Sequence, residues 1–195
     1  MDFNKIKVED CVVHRNRYGY TEVPQKYLFI DFDGTIRKAV DNSNPSPGYA
    51  ETYKNRPPFA PSEVNVFKVM YEKLVQWYHR GYKIIGITNQ SGVEGGAMNF
   101  NTCVETCVET VRQTGLFFPV IFAPCKEKGS DEVRYLRKPN PGMIDLAERI
   151  YGPADRGFSL MVGDYKTDIE TGKNARIKTI LVDSSKEGED FPLPF

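Results

Sequence analysis

Five short apolar segments, separated by helical patterns, constrain the fold more than any other feature of this sequence. They lie at residues 27–30, 83–87, 117–123, 158–162 and 179–182. Each segment is apolar at consecutive positions, which is typical of parallel strands covered by helices on both faces. Strands and helices in alternation predict an α/β fold with an open parallel sheet and right-handed crossovers.

Four helices are predicted between these strands. They are expected from Ser62 to near Gly81, at residues 101–114, after Pro141 and at residues 167–175. Ser62 is a suitable N-cap, and glycine is common just after a helix ends. In the second helix, helical spacing directs Cys103 and Cys107 toward the core, so we do not expect these thiols to ligate a metal.

Two segments do not follow the alternation. Residues 1–26 are predicted to be an N-terminal extension, for which a small hairpin is one candidate form, and residues 27–195 are predicted to be a single domain. Residues 37–61 contain five prolines and several asparagines and serines. This second segment is therefore predicted to be a long loop.

The charge balance and the apolar pattern exclude several classes of protein. The chain has 26 basic and 26 acidic residues, so it has no global positive field that would attract nucleic acid. Its first residues lack the apolar run of a signal peptide, and no stretch approaches the roughly 18 apolar residues of a membrane span. The four cysteines form no Cys-x-x-Cys pair. We therefore expect a cytoplasmic protein with reduced thiols and no membrane partner.

Polar side chains gather where the chain leaves the predicted strands or enters the next helices. They are Asp31 and Asp33 after the first strand, Thr88, Asn89 and Gln90 after the second, Arg137 and Lys138 before the third helix, and Asp164 and Asp168 after the fourth strand. Ligands of open α/β sheets bind beyond the carboxyl ends of the strands, so these groups are expected to form one site. Each group alone also fits an ordinary turn, a solvated charge or a helix N-cap. Together they supply a nucleophile, an acid, metal-binding carboxylates, a hydroxyl and a cation, which are the groups that phosphoryl transfer needs.

These motifs resemble those of the haloacid-dehalogenase-like superfamily over residues 27 to 183. The matching strings are Asp31-Phe32-Asp33-Gly34-Thr35, Thr88, Lys138, and Gly163-Asp164 through Asp168. The longer strings Thr88-Asn89-Gln90-Ser91-Gly92 and Arg137-Lys138-Pro139-Asn140-Pro141-Gly142-Met143 are similar to a subgroup of that superfamily. The subgroup contains histidinol-phosphate phosphatases, heptose-bisphosphate phosphatases and polynucleotide 3′-phosphatase domains. The resemblance implies a Rossmann-like sheet and phosphatase activity.

The resemblance also implies a role for each site residue. Asp31 would attack phosphorus and form an aspartyl-phosphate, while Asp33 would protonate the leaving alkoxide and later activate water. Mg²⁺ would be held by the side chains of Asp31 and Asp164 and by the backbone carbonyl of Asp33. The remaining assignments are phosphate binding by Thr88, Asn89 and Lys138, substrate binding by Gln90 and Arg137, and orientation of Lys138 by Asp168.

The chain departs from the zinc-bearing members of this subgroup. Those members carry a Cys-x-His pair and a Cys-x-Cys pair just before the Arg-Lys-Pro string. Here the corresponding residues are Cys125, Glu127, Arg134 and Leu136. Too few of these can ligate zinc, so no structural zinc is expected and the loop at residues 123–137 must be held in another way.

The spacing of the motifs leaves little room for a cap domain, which predicts an essentially capless enzyme with an open cleft. Such a cleft suits a sugar phosphate or a projecting polynucleotide end. Basic and aromatic residues in the long loop could contact either substrate, or could be solvated: Arg37, Lys38, Tyr49, Tyr53, Lys54 and Arg56. The balanced charge favours a small phosphorylated metabolite such as a sugar phosphate. The alternatives are a polynucleotide 3′-phosphatase and a non-catalytic phosphate-binding protein.

Overall fold

A computed structural model describes residues 1–41 and 55–194 of the chain. The strands in these residues are β1 (Val12–Val13), β2 (Tyr27–Ile30), β3 (Val40–Asp41), β4 (Asn55–Arg56), β5 (Lys83–Asn89), β6 (Val120–Ala123), β7 (Leu160–Gly163) and β8 (Lys178–Leu181). The α-helices are α1 (Met70–His79), α2 (Phe100–Gln113), α3 (Asp131–Tyr135), α4 (Gly142–Tyr151) and α5 (Lys166–Asn174).

Six of the strands form one sheet in the order β1-β6-β5-β2-β7-β8. All neighbours are parallel except the β1–β6 pair, which is antiparallel. Strand β2 is central, and its Leu28 lies opposite Ile84 of β5 and Leu160 of β7. Every residue of β2, β6 and β7 is buried, because helices and loops cover the sheet. The predicted α/β class with an open parallel sheet is confirmed.

The first predicted helix begins later than the sequence indicated. Ser62 lies in a single 3₁₀ turn, Pro61–Glu63, and α1 starts only at Met70. Between them, residues 65–67 pair with residues 36–38, since the N–H of Lys38 donates to the carbonyl of Asn65 at 2.8 Å and the N–H of Phe67 donates to that of Ile36 at 2.9 Å. The apolar residues predicted to form one long helix therefore belong to two different structures. The first part pairs with residues 36–38, and the second part forms the shorter helix α1.

Residues 1–26 contain three 3₁₀ turns and strand β1. Val12 pairs with Ile121 and Val13 with Val120, so β1 lies at the edge of the main sheet. Cys11, next to this strand, is fully buried, as are the other three cysteines, all of which are free thiols. The prediction that Cys103 and Cys107 face the core is confirmed.

Strands β3 and β4 form a small antiparallel ribbon at the two ends of residues 42–54, which lie outside the described part of the chain. The predictions for Tyr49, Tyr53 and Lys54 therefore also lie outside it. Arg56 is 8% exposed, and its guanidinium makes two hydrogen bonds to the carboxylate of Glu63, at 2.6 and 2.8 Å. The described residues contain this ribbon and no large cap domain, and none of their helices is long and apolar enough to cross a membrane.

Candidate active site

The carboxyl ends of β2, β5 and β7 open into a cleft of about 740 Å³. Seven of the nine site residues predicted near strand ends and helix starts line it: Asp31, Asp33, Asn89, Arg137, Lys138, Asp164 and Asp168. The other two, Thr88 and Gln90, are buried at the end of β5, at 0% and 1% exposure. The parallel sheet is the reason for this convergence, because it brings the ends of distant strands to one edge.

Lys138 lies between two carboxylates at the base of this cleft. Its ammonium group contacts Oδ1 of Asp31, lies 2.6 Å from Oδ1 of Asp168, and donates to the carbonyl of Ile87 at 3.2 Å. All three charged side chains are buried. Burial lowers the pKa of Lys138, but Asp31 and Asp168 raise it by more, so the pKa lies above its usual range and the ammonium stays charged.

Three carboxylates form a compact cluster around this ion pair. One carboxylate oxygen from each of Asp31, Asp164 and Asp168 lies within 4.8 Å of the other two. Burial and the neighbouring carboxylates raise the pKa of Asp31, and burial followed by Asp168 raises the pKa of Asp164 to about 6. A hard divalent cation such as Mg²⁺ prefers oxygen ligands of this kind and would relieve the repulsion between them. The donor set therefore fits Mg²⁺.

The carboxylate of Asp33 is held by two side chains. Arg37 donates to it twice, at 2.7 and 3.1 Å, and Nε2 of Gln90 donates to Oδ2 at 3.1 Å. The sequence analysis placed Arg37 in a long basic loop, but the side chain is completely buried. Arg37 follows Asp33 by four residues, and this spacing was the one feature of the sequence that could have indicated the pair. Nothing in the sequence indicated that Arg37 is buried.

Asn89 and Gln90 link the end of β5 to the rest of the site. The amide of Asn89 pairs with the backbone of Lys138, donating to its carbonyl at 3.2 Å and accepting from its N–H at 3.0 Å. Nε2 of Gln90 also donates to the hydroxyl of Thr88, at 2.8 Å. Asn89 therefore fixes the backbone that carries the buried lysine, while still lining the cleft.

Glu94 organises the loop that precedes Arg137, a role that the sequence analysis missed. Its carboxylate accepts the backbone N–H groups of Lys126 at 2.5 Å, Glu127 at 3.1 Å and Lys128 at 2.6 Å. Burial raises the pKa of Glu94, but these donors outweigh it, and the pKa lies below its usual value. Among the described residues, the one His/Cys/Asp/Glu group able to hold a metal is the aspartate cluster. The backbone of the loop before Arg137 is held by the carboxylate of Glu94.

Comparisons with known proteins agree with this geometry. The family described as HAD-hydrolase-like matches residues 135–191. The D-glycero-beta-D-manno-heptose-1,7-bisphosphate 7-phosphatase of Pasteurella multocida is 30% identical over 173 residues, which cover 83% of this chain and 84% of that protein. Pyrophosphatase PpaX of Halalkalibacterium halodurans is 32% identical over 127 residues, which cover 64% of this chain and 55% of that protein.

A solved structure shares the fold. The D,D-heptose 1,7-bisphosphate phosphatase of B. bronchiseptica, complexed with magnesium and phosphate, superposes with a TM-score of 0.62 at 21% identity, over 87% of this chain and 89% of that chain. The resemblance drawn from the strand-end motifs is confirmed by the extent of the match to the Pasteurella multocida protein. The chain belongs to the haloacid-dehalogenase-like phosphatases.

Proposed function

We propose that this protein is a Mg²⁺-dependent phosphatase that removes a phosphate group from a small phosphorylated sugar by way of Asp31. The observation that carries the proposal is the position of Lys138. Its buried ammonium contacts Asp31 at the base of an open cleft, and Asp164 lies in the same carboxylate cluster. A nucleophilic carboxylate, a fixed cation and a metal-binding carboxylate are thereby close together, as phosphoryl transfer requires.

The first half of the reaction uses Asp31 and Asp33. A carboxylate oxygen of Asp31 forms a bond to phosphorus while the bond from phosphorus to the ester oxygen breaks. Asp33 gives its proton to the departing oxygen, so the sugar leaves as an alcohol. Lys138 neutralises negative charge on the phosphoryl group, and the bound Mg²⁺ would supply further charge neutralisation there.

The second half restores the enzyme. Water attacks the phosphorus of the aspartyl-phosphate and transfers a proton to the carboxylate of Asp33, and the bond between Asp31 and phosphorus breaks. Inorganic phosphate leaves, Asp31 is again a carboxylate, and Asp33 again carries the proton for the next turnover. Asp168 supports both halves because its contact at 2.6 Å helps to hold Lys138 in place.

The size and charge of the cleft support a sugar phosphate as the substrate. A volume of about 740 Å³ is typical of small-molecule sites. Arg137 lines this cleft and also an adjoining groove of about 510 Å³, together with Lys126 and Arg134. Such cations suit a second phosphate on the sugar, and the relative from Pasteurella multocida is a heptose bisphosphate phosphatase by name.

Turnover of a substrate panel tests the proposal. The panel contains D-glycero-D-manno-heptose 1,7-bisphosphate, common sugar monophosphates, inorganic pyrophosphate and a 3′-phosphorylated oligonucleotide, with phosphate release measured over a salt series. We expect the highest kcat/KM for a sugar phosphate, with weak salt dependence. A preference for the oligonucleotide with a steep salt slope would favour a polynucleotide 3′-phosphatase instead. Binding of phosphate without turnover of any compound would favour a non-catalytic protein.

A further inference from the structure

The two oxygens of the Asp33 carboxylate accept different numbers of hydrogen bonds. Oδ2 accepts hydrogen bonds from a terminal nitrogen of Arg37 at 3.1 Å and from Nε2 of Gln90 at 3.1 Å. Oδ1 accepts from Nε of Arg37 at 2.7 Å, its single partner within the described residues. A carboxylate oxygen offers two lone pairs, so both lone pairs of Oδ2 are engaged while one on Oδ1 is open.

Arg37 is itself fixed by contacts on every side. Each of its three nitrogens donates a hydrogen bond, two of them to Asp33 and the third to the hydroxyl of Thr110 on α2, at 2.6 Å. The guanidinium carbon lies 5.2 Å from the centre of the Phe32 ring. Burial lowers the pKa of Arg37, but the Asp33 carboxylate raises it above its usual value, so this 0% exposed side chain stays charged.

This arrangement determines the direction in which Asp33 points. A planar guanidinium that binds both oxygens of a carboxylate fixes its plane, which a lysine ammonium cannot do. The arginine is in turn tied to α2 and the glutamine to the end of β5. The orientation of the carboxylate is therefore set from outside by α2, through Arg37, and by the end of β5, through Gln90. The turn that carries both Asp33 and Arg37 holds the pair together, since the N–H of Gly34 donates to the carbonyl of Arg37 at 2.9 Å.

We propose that Arg37 is a positioning residue for proton transfer and that Oδ1 of Asp33 is the atom that carries the proton. Oδ1 gives this proton to the leaving oxygen as the phosphorus–oxygen bond breaks, and it receives a proton from water when the phosphoenzyme is hydrolysed. Both contacts from Arg37 persist throughout, since they occupy other lone pairs. This inference rests on the proposed phosphatase function.

The dependence of kcat/KM on the leaving group distinguishes a defect in proton transfer from general damage to the active site. p-Nitrophenyl phosphate releases an acidic phenol that departs without a proton, whereas phenyl phosphate and alkyl phosphates need one. Loss of Arg37 should therefore reduce kcat/KM for phenyl phosphate much more than for p-nitrophenyl phosphate. General acid catalysis contributes on the order of 10²-fold or more, so a selective loss of about tenfold or greater is expected for Arg37→Met. Arg37→Lys should restore little, because it cannot bind both oxygens.

A milder variant keeps the test valid if Arg37→Met fails to fold. Thr110→Val removes the hydroxyl that accepts from Arg37, and Thr106→Val is a matched control one turn earlier on α2. Both threonines are buried, and each donates to the carbonyl four residues before it, at 2.8 Å for Thr110 and 2.7 Å for Thr106. Of the two, Thr110 is the one that accepts a hydrogen bond from Arg37. We expect a steeper leaving-group dependence for Thr110→Val and the wild-type dependence for Thr106→Val.

The outcomes distinguish this inference from the function on which it rests. Equal losses on both aryl phosphates in the Arg37 and Thr110 variants, or no loss, would overturn the positioning role while the phosphatase function stands. A wild-type protein that hydrolyses no phosphate ester with Mg²⁺ present would overturn both. A selective loss on phenyl phosphate, absent from Thr106→Val, supports the role of Arg37.

Discussion

Gly34 and Asp164 approach so closely that a Cβ atom on residue 34 would lie 2.1 Å from Oδ2 of Asp164. The backbone of Gly34 also has φ of +83°, a conformation that other residues rarely adopt. The turn after Asp33 can therefore pass directly beside the carboxylate at the end of β7. Since β2 and β7 are paired neighbours in the sheet, this approach packs the turn after β2 against the end of β7 beside the candidate Mg²⁺ site.

We expect Gly34→Ala to remove most of the phosphatase activity and to weaken Mg²⁺ binding. The methyl group cannot fit beside Asp164, so that carboxylate must leave its position. Gly81→Ala is the matched control, since Gly81 has φ of +80° but no atom within 4 Å of a Cβ. Both variants place an alanine at a positive φ. The difference between them in activity, measured as Mg²⁺ is titrated, therefore reports the clash with Asp164 alone. Equal effects of the two variants would contradict the prediction.

Asp31→Asn should abolish turnover while the fold remains intact. An amide is nearly the same size as the carboxylate but a very poor nucleophile, so kcat should fall by about a thousandfold or more. Circular dichroism and thermal unfolding establish that the variant is folded. Turnover within about tenfold of the wild type would rule out covalent catalysis by Asp31.

Mg²⁺ should be required for activity, and EDTA should abolish it. The carboxylates of Asp31, Asp164 and Asp168 repel one another, so a bound cation should also raise the melting temperature. Asp164→Asn removes one of these charges. We expect this variant to melt above the wild type in EDTA but to gain little on addition of Mg²⁺. Full activity in EDTA, or an undiminished Mg²⁺ shift in Asp164→Asn, would contradict the assignment.

Glu94→Gln should loosen the loop at residues 124–130 and lower kcat/KM. A glutamine has one acceptor oxygen and no charge, so it cannot bind all three N–H groups held by the glutamate. Because these N–H groups belong to exposed residues and can turn to water, we expect a loss of about 0.5–1.5 kcal/mol in the free energy of unfolding. Urea unfolding measures this loss, and hydrogen exchange measures the protection of the loop. Glu105→Gln, on the exposed face of α2, is the control and should have neither effect.

The four cysteines should resist alkylation in the folded protein. The thiolate is the reactive form, and burial raises the pKa of Cys11 far above its usual value and that of Cys125 to about 11. Iodoacetamide at pH 8 should therefore label none of the four thiols in native protein and all four in urea, counted by intact mass. Rapid labelling of a single native cysteine would show that its surroundings open readily.

Local patterns in the sequence carried the prediction of the sheet. Strands β2 and β7 are short and entirely buried, so consecutive apolar residues predicted both, although the segment predicted for β7 began two residues early, at the exposed Phe158. Helix α1 was predicted with the wrong start because its apolar spacing continues through residues 64–69. In the folded protein the backbone there pairs with residues 36–38, and no local property of the chain encodes that partner.

The sequence by itself determined the α/β alternation and the placement of Asp31, Asp33, Lys138 and Asp164 at strand ends and a helix start. Apolar runs, glycine turns and the direction of parallel strands are local consequences of residue type. Only the tertiary structure decided that Arg37 is buried against Asp33. The two residues are only four apart, but Arg37 becomes buried because segments distant in sequence, such as α2 with Thr110, pack over it. Burying a charge in this way is favourable only when a partner such as Asp33 is in place, and those segments meet only in the folded chain.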